Sequence, residues 1–201
     1  LYSSAASDVY KRQVQDYADL TTPEPKPEQN YVFAGWVPEI PKSGVVKESA
    51  VYHATFEYVP TLEEVQEAKV TEMNTLQQSI IASGLDVTLS DGTTEHFTLT
   101  GQDQTSLMGL QTQVAAGAEN IPWHTSDENE HCKFYSNADM LLIVTAAMEF
   151  VTWHVTYFRD LRIYIRSIEE KVAVAAIQYG TDIPEQYQSA PLKAMLAAQN
   201  T

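Results

Sequence analysis

Residues 136–172 read SNADMLLIVTAAMEFVTWHVTYFRDLRIYIRSIEEKV, and their spacing decides the fold. From Met140 the apolar positions step by four and three: Met140, Val144, Ala147, Val151, His154, Phe158, Leu161, Ile165, Ile168 and Val172. This is a heptad seam broken in character once, at His154, and it predicts one continuous rod from Met140 to Val172. Ser136 stands where a helix cap belongs, with Asp139 at the third helical position. A second stripe runs Phe150, Trp153, Tyr157 and Tyr164. A helix apolar on two sides must bury both. One side is expected to cover small β elements. The other wants a partner helix, from this chain or from a second copy.

Working towards the N-terminus, the elements that cover the rod can be read off. Residues 121–135 predict a hairpin, Ile121 to Thr125 against His131 to Tyr135, around Asp127-Glu128-Asn129. Residues 102–116 predict a helix with Thr100 and Asp103 as its cap signature and Leu107, Leu110 and Val114 as its stripe. Residues 85–99 predict a second hairpin through Ser90-Asp91-Gly92. A two-residue turn would split Leu85, Val87 and Leu89 from Phe97 and Leu99. A three-residue turn with Gly92 left-handed puts all five on one face, so three residues are expected. Residues 61–83 predict a helix with Thr61 and Glu64 as a capping box and Leu62, Val65, Met73, Leu76 and Ile80 as its stripe. Gly84 stops it. Beyond the rod, Tyr179-Gly180, Pro184 and Pro191 punctuate a tail that ends in a short helix, 191–199. The expected fold class is α+β: a small β module, then helix–hairpin–helix–hairpin–long helix over 61–201.

Composition limits what such a fold can do. The chain has 201 residues, 12 Lys+Arg against 27 Asp+Glu, and a formal charge of -15. No Lys or Arg occurs between Lys69 and Lys133, while nine acidic residues do. That surface repels phosphate, so no nucleic-acid partner is expected. No run of about 18 apolar residues occurs, so no membrane insertion is expected. One Cys excludes a disulfide framework and a four-Cys zinc site.

Chemistry-bearing residues are few. His124, His131, Cys132 and His154 match no zinc spacing, and adjacent His131 and Cys132 point to opposite faces of a strand. Asp127 to Glu130 lack the twelve-residue calcium pattern. No nucleophile elbow or phosphate loop occurs. Neither catalytic, metal nor cofactor residues are assigned. His154 reads as a seam residue setting register. With 11 Tyr and 3 Trp, the functional reading is a stacking surface, and the candidate contact residues are Trp36, Trp123, His124, Tyr135, His154 and Tyr157.

The N-terminal part has another character. Pro23, Pro25 and Pro27 alternate with charges, so 14–30 is expected to be an extended linker. Residues 31–60 read as a partial β module, Tyr31 to Trp36 against a strand with Tyr52, Ala54, Phe56 and Tyr58 on one face. Tyr31-x-Phe33-x-Gly35-Trp36-x-Pro38, followed by Tyr52-x-Ala54-x-Phe56, resembles the repeat modules of internalin-B type found in bacterial surface proteins and some phage tail proteins. Ser3 to Gln13, SSAASDVYKRQ, resembles a translated transposase sequencing adapter. Residues 1–13 are therefore read as a scar and set aside, and the natural start is expected to be missing.

A second resemblance spans Glu95 to about Leu196. His96-Phe97-Thr98-Leu99-Thr100-x-x-Asp103-Gln104, Ala115-Ala116-Gly117-Ala118, Trp123-His124, Cys132 to Met140, His154-x-Thr156-Tyr157 and Tyr179-Gly180-x-x-Ile183-Pro184-Glu185-x-Tyr187-Gln188 occur in that order. They look like a family of prophage-encoded, tail-fibre-associated domains from gut bacteria, with no assigned activity. That family commonly has Thr-Tyr-Cys-Asn where this chain has Thr156-Tyr157-Phe158-Arg159. The departure puts a shared polar site on that helix in doubt. The resemblance implies a non-enzymatic virion protein of the tail, fibre- or baseplate-associated, made in the host cytoplasm. It would oligomerise along 140–172 as a dimer or trimer and meet other tail proteins or a host-surface glycan or protein. The alternatives are a bacterial cell-surface adhesin and an accessory of a cell-wall or glycan hydrolase.

Overall fold

The computed structural model describes residue 14 and residues 16–199. The adapter-like stretch 1–13 lies outside the described residues. The chain divides into two compact units, Leu1–Thr61 and Leu62–Thr201. Its fold class is α+β, with five α-helices and three two-stranded antiparallel sheets among the described residues.

The first unit is a ribbon of β1 (Tyr31–Val37) and β2 (His53–Tyr58). Tyr31 lies opposite Tyr58 and Trp36 opposite Ala54, with a bulge between Phe33 and Gly35. Tyr31 and Tyr58 meet edge to face, as do Phe33 and Phe56. The expected linker is not extended throughout. The Asp16 carboxylate accepts from the Ala18 and Gly44 amides, which closes a 3-10 turn at Tyr17–Asp19 and ties it to the loop before β2. An Asx-type bond this close in sequence outcompetes the polyproline preference, which begins only at Pro23.

The second unit is arranged along α3 (Asn137–Ser167), 31 residues without a break. Before it come α1 (Leu62–Ser83), β3 (Leu85–Thr88), β4 (Thr94–Phe97), α2 (Gly101–Ala115), β5 (Ile121–Trp123) and β6 (Lys133–Tyr135). After it come α4 (Lys171–Ala176), a 3-10 turn at Glu185–Tyr187 and α5 (Ala190–Gln199). The β3–β4 turn has the expected length. Leu85 pairs with Phe97, the Leu89 amide donates to the Thr93 carbonyl at 2.8 Å, and Gly92 closes the turn at φ +87. The second hairpin is shorter than expected, because the Thr125 hydroxyl bonds Glu130 and the Asp127 carboxylate folds back on Asn129. Those local bonds take residues 124–132 out of the ladder.

The partner helix comes from the same chain. Gln66, near the start of α1, donates to the Arg166 and Ile168 carbonyls at 3.1 and 2.8 Å, and Arg166 grips Glu67 through Nε and Nη2 at 2.6 and 2.9 Å. Ile81, near the end of α1, packs with Met140 and Val144 of early α3. The two helices are therefore antiparallel. The buried face of α1 is Val70, Met73, Gln77 and Ile81. Leu76, expected on the stripe, is 40% exposed, because burial follows Val70, Met73 and Gln77 rather than a line through Leu76.

The seam faces the interior from Met140 to Ile165, with Val151 and His154 half-buried, but the rod does not reach Val172. It ends at Ser167, and Ile168 is extended (φ -80, ψ 123). Two causes coincide. Glu169 and Glu170 would place negative charge at the negative end of a longer helix, whereas here they precede α4, at its positive end. The carbonyls freed by stopping are taken by Gln66. Val172 leaves the seam and is 83% exposed, while Val174 and Ile177 turn inward.

Two cores result, one for each half of α3. The first gathers Val87, Phe97, Leu99, Leu107, Ile121 and Trp123 around Met140, Ile143, Val144 and Ala147. The second gathers Val70, Met73, Val174, Ile177, Ile183 and Leu192 around Tyr157, Phe158, Leu161 and Ile165.

Candidate functional site

The six contact residues expected from sequence fall into three places, not one. Trp36 belongs to the β1–β2 ribbon, half-buried with its ring edge-to-face on Phe33. Trp123, His124 and Tyr135 share the second hairpin. His154 and Tyr157 lie on the middle of α3.

At the hairpins, two ionic clusters join elements that are distant in sequence. Lys133 on β6 reaches Glu95 on β4 and Glu130 in its own loop, both at 2.9 Å. Tyr135 donates its hydroxyl to the other Glu95 oxygen at 2.6 Å. The bonds to Glu95 and Glu130 push the Lys133 pKa up, and the bond to Lys133 holds the Glu130 carboxyl below its ordinary value. Burial, then the Glu95 bond, raises the Tyr135 phenol, so it stays protonated. The first cation after the long acidic stretch is thus spent on clamping the two hairpins together.

Beside it, the α2 cap carries more than a cap. Asp103 Oδ2 accepts from the Thr98 hydroxyl, the Thr100 hydroxyl and the Thr100 amide, at 2.8 to 2.9 Å. Its Oδ1 lies 3.5 Å from His124 Nε2, and His124 Nδ1 is 3.0 Å from the Thr125 carbonyl. Since a carbonyl only accepts, Nδ1 carries the proton there. The His124 ring stacks on Trp123 at 4.7 Å. His96, adjacent, holds the Asp86 carboxylate at 2.7 Å and the Ser83 carbonyl at the end of α1 at 2.8 Å. Both partners are acceptors, the carbonyl foremost, and they raise its pKa.

On α3, aromatic rings form a second cluster. Trp153 and Tyr157 stack at 5.1 Å, and Tyr179 meets Tyr157 edge to face. His154 Nδ1 lies 3.0 Å from the Tyr179 hydroxyl, and burial pushes the His154 pKa down. Burial likewise raises the Tyr157 and Tyr179 phenols. Tyr157 donates to the Thr181 carbonyl and accepts from the Gly180 amide. His154 is therefore a seam residue held neutral by its surroundings. Phe158, where the resembling family has a small residue, is buried in the second core, and Arg159 is exposed.

Chemically these clusters hold elements in place, since most of their polar atoms are already partnered. Among the described residues, three buried side-chain nitrogens lack a hydrogen-bond partner: Trp123 Nε1, Trp153 Nε1 and Arg162 Nε. No group of three His, Cys, Asp or Glu side chains among the described residues converges as a metal would require. An open groove of about 390 Å³ runs between α2 and α3, walled by Gln111, Ala115, Leu141, Thr145, Met148 and Glu149. By length and composition α3 is also able to cross a bilayer, a property it shares with core helices. Here its seam packs against α1 and the hairpins.

Sequence reasoning missed Glu95, Asp103, Lys133 and Tyr179 as network members. Asp103 carried a signal, its place in the cap signature, but only as a cap. Tyr179-Gly180 was legible as a turn, not as the lid over His154.

A family model described as a domain of unknown function, DUF4376, matches residues 64–181, more than half of the chain. No curated protein matches the chain, and no solved structure does.

Proposed function

This chain belongs to the DUF4376 family of unknown function, and we propose that it is a non-enzymatic structural or host-adhesion protein of a phage tail, associated with the fibre or baseplate. It works by assembling and by presenting surfaces. The observation that carries this reading is the division of labour in the second unit. Its ionic and aromatic clusters are consumed in joining hairpins and helices, while the solvent side of α3 keeps four large apolar side chains exposed, Leu141, Leu142, Val155 and Ile163. A surface of that kind suits contact with protein. The order of motifs from His96 to Gln188 supports the tail assignment.

The test is direct. Virions induced from a lysogen carrying this gene, purified and analysed by mass spectrometry, should contain the chain at a fixed copy number per particle. Its absence from particles, with the chain present in the cell lysate, would overturn the reading.

A second reading, a cell-surface adhesin, draws on one observation. The β1–β2 ribbon leaves Val32, Phe33, Val37 and Tyr58 in solvent, and a two-stranded ribbon is marginal alone. Recovery of the chain from the cell-wall fraction of uninduced cells would favour it.

A further inference from the structure

We propose that the outer face of α3 is a self-association surface on which a second copy of this chain docks antiparallel, crossing near residue 154. The proposal rests on the assembly half of the proposed function and is independent of the phage assignment.

Three observations carry it. The first is continuity. Leu141, Thr145, Thr152, Val155, Arg159 and Ile163 are all exposed. At 100° per residue they lie within an arc of about 80°, so they form one straight stripe along most of the helix. Leu141 and Ile163 are 52% and 51% exposed at its two ends. The seam a quarter-turn away is already spent on the cores, so this stripe, with Leu141, Val155 and Ile163 as its apolar members and Thr145, Thr152 and Arg159 between them, is a side of α3 that remains open to solvent.

The second is charge. The chain carries -15 overall, which opposes self-association almost anywhere on its surface. The stripe is an exception. Three carboxylates occur on α3, and two of them are committed inside the fold: Asp139 to Ser136 and Ser90, Asp160 to the Ser189 amide. Glu149 remains, at the flank of the stripe about 40° beyond its edge, against Arg159 at its middle, and neither has an ion-pair partner among the described residues. Glu149 lies five residues before position 154 and Arg159 five after. A two-fold axis there sets Glu149 of each copy against Arg159 of the other. The same axis sets Thr145 against Ile163. A parallel pair would instead stack Glu149 on Glu149.

The third is shape. The groove walled by Ala115, Leu141, Thr145 and Met148 lies beside the N-terminal half of the stripe. In the antiparallel arrangement it receives the Ile163 end of the other copy. An isologous contact of this kind closes on itself as a dimer.

The experiment uses the whole chain in a Cys132→Ala background, since Cys132 is the single native thiol and is exposed. Sedimentation velocity from about 1 to about 500 μM should show a dimer. Glu149→Arg and Arg159→Glu, both at exposed positions, should each raise its dissociation constant about tenfold or more, and the double reversal should restore it. Mixing the T145C and I163C proteins under oxidation should give the mixed disulfide, with little of either homodimer.

A monomer at every concentration would overturn the proposal, as would a dimer indifferent to both reversals. Homodimer cross-links in preference to the mixed species would overturn the antiparallel geometry. So would a monomer that floats with anionic phospholipid vesicles and loses that binding on Val155→Glu, which would make the stripe a lipid-facing surface. The virion assay is untouched by any of these results, so the failure of this proposal and the failure of the tail assignment are separable.

Discussion

The two halves of α3 are built by different means. Around the first half, turns and caps do the joining. Ser136 and Asp139 cap the helix, and Asp139 also accepts from the Ser90 amide in the first hairpin turn. Asn137 donates to the Val114 and Ala118 carbonyls at the end of α2. Around the second half, large side chains and single hydrogen bonds do it: Trp153 on Tyr157, Tyr164 against Tyr187, Asp160 to the Ser189 amide just before α5, and Gln66 on the last carbonyls. The first half is held by short polar motifs over a core that mixes Phe97 and Trp123 with aliphatic side chains, the second by stacked aromatic rings around a few buried polar anchors.

The hardest blow to this comparison is a cavity in each half. Phe97→Ala should cost about 4 kcal/mol and Leu161→Ala about 3 kcal/mol, since both side chains are fully buried. Because α1 and α3 run through both cores, each variant should lower a single urea midpoint by fluorescence and circular dichroism alike. Two separated transitions in either variant would show that the halves are independent folding units. Asp103→Ala comes next. It strips three donors of their acceptor and removes half of a capping box, at about 2 kcal/mol. In hydrogen exchange its effect should centre on α2 and the hairpins and leave α4 and α5 nearly unchanged.

The smallest effects are the most discriminating, because the two halves contain histidines of opposite sign. His96 has its pKa raised above 6.5 by the Ser83 carbonyl and Asp86. Its stabilisation is complete below its unfolded value and is lost as pH rises through the raised folded value. The Tm gap between the native chain and His96→Gln should therefore narrow between about pH 6 and pH 8. His154 has its pKa lowered below 6.5 by burial. Its contribution is present above the unfolded value and is lost as pH falls through the lowered folded value. The gap between the native chain and His154→Asn should narrow below about pH 6. If both gaps moved in the same direction with pH, the contrast between an acceptor-lined and a desolvated histidine would fail.

This contrast also explains what was legible in the sequence. The first half is written in local signals. Ser136 with Asp139, Thr100 with Asp103, and the parity of Leu85, Val87 and Phe97 around Ser90-Asp91-Gly92 all specify geometry within a few residues. The seam itself was readable because its period is a property of the chain alone. The second half carries fewer such local signals. Nothing near Asp160 indicates that it holds Ser189, and nothing near Gln66 indicates that it closes the end of α3 a hundred residues later. Leu76 was misplaced for a related reason: which face of α1 is buried is decided by α3, not by the hydrophobicity of α1. The candidate contact residues lie in three separate places, and sequence offered no means of sorting them.

Gln66, Asn137 and Ser90 have a joint consequence for how the chain is made. The groups that finish both ends of α3 come from α1, from the first hairpin and from the helix already formed, and apart from Asn137 itself they leave the ribosome before the rod does. As α3 emerges, its start finds a turn and a carbonyl rim waiting, and its final carbonyls meet an amide synthesised long before. The segment from Lys171 onward only roofs the far half. A chain truncated just after Ser167 should therefore already hold the hairpin half in native form, with the tyrosine-rich half still open to chaperones.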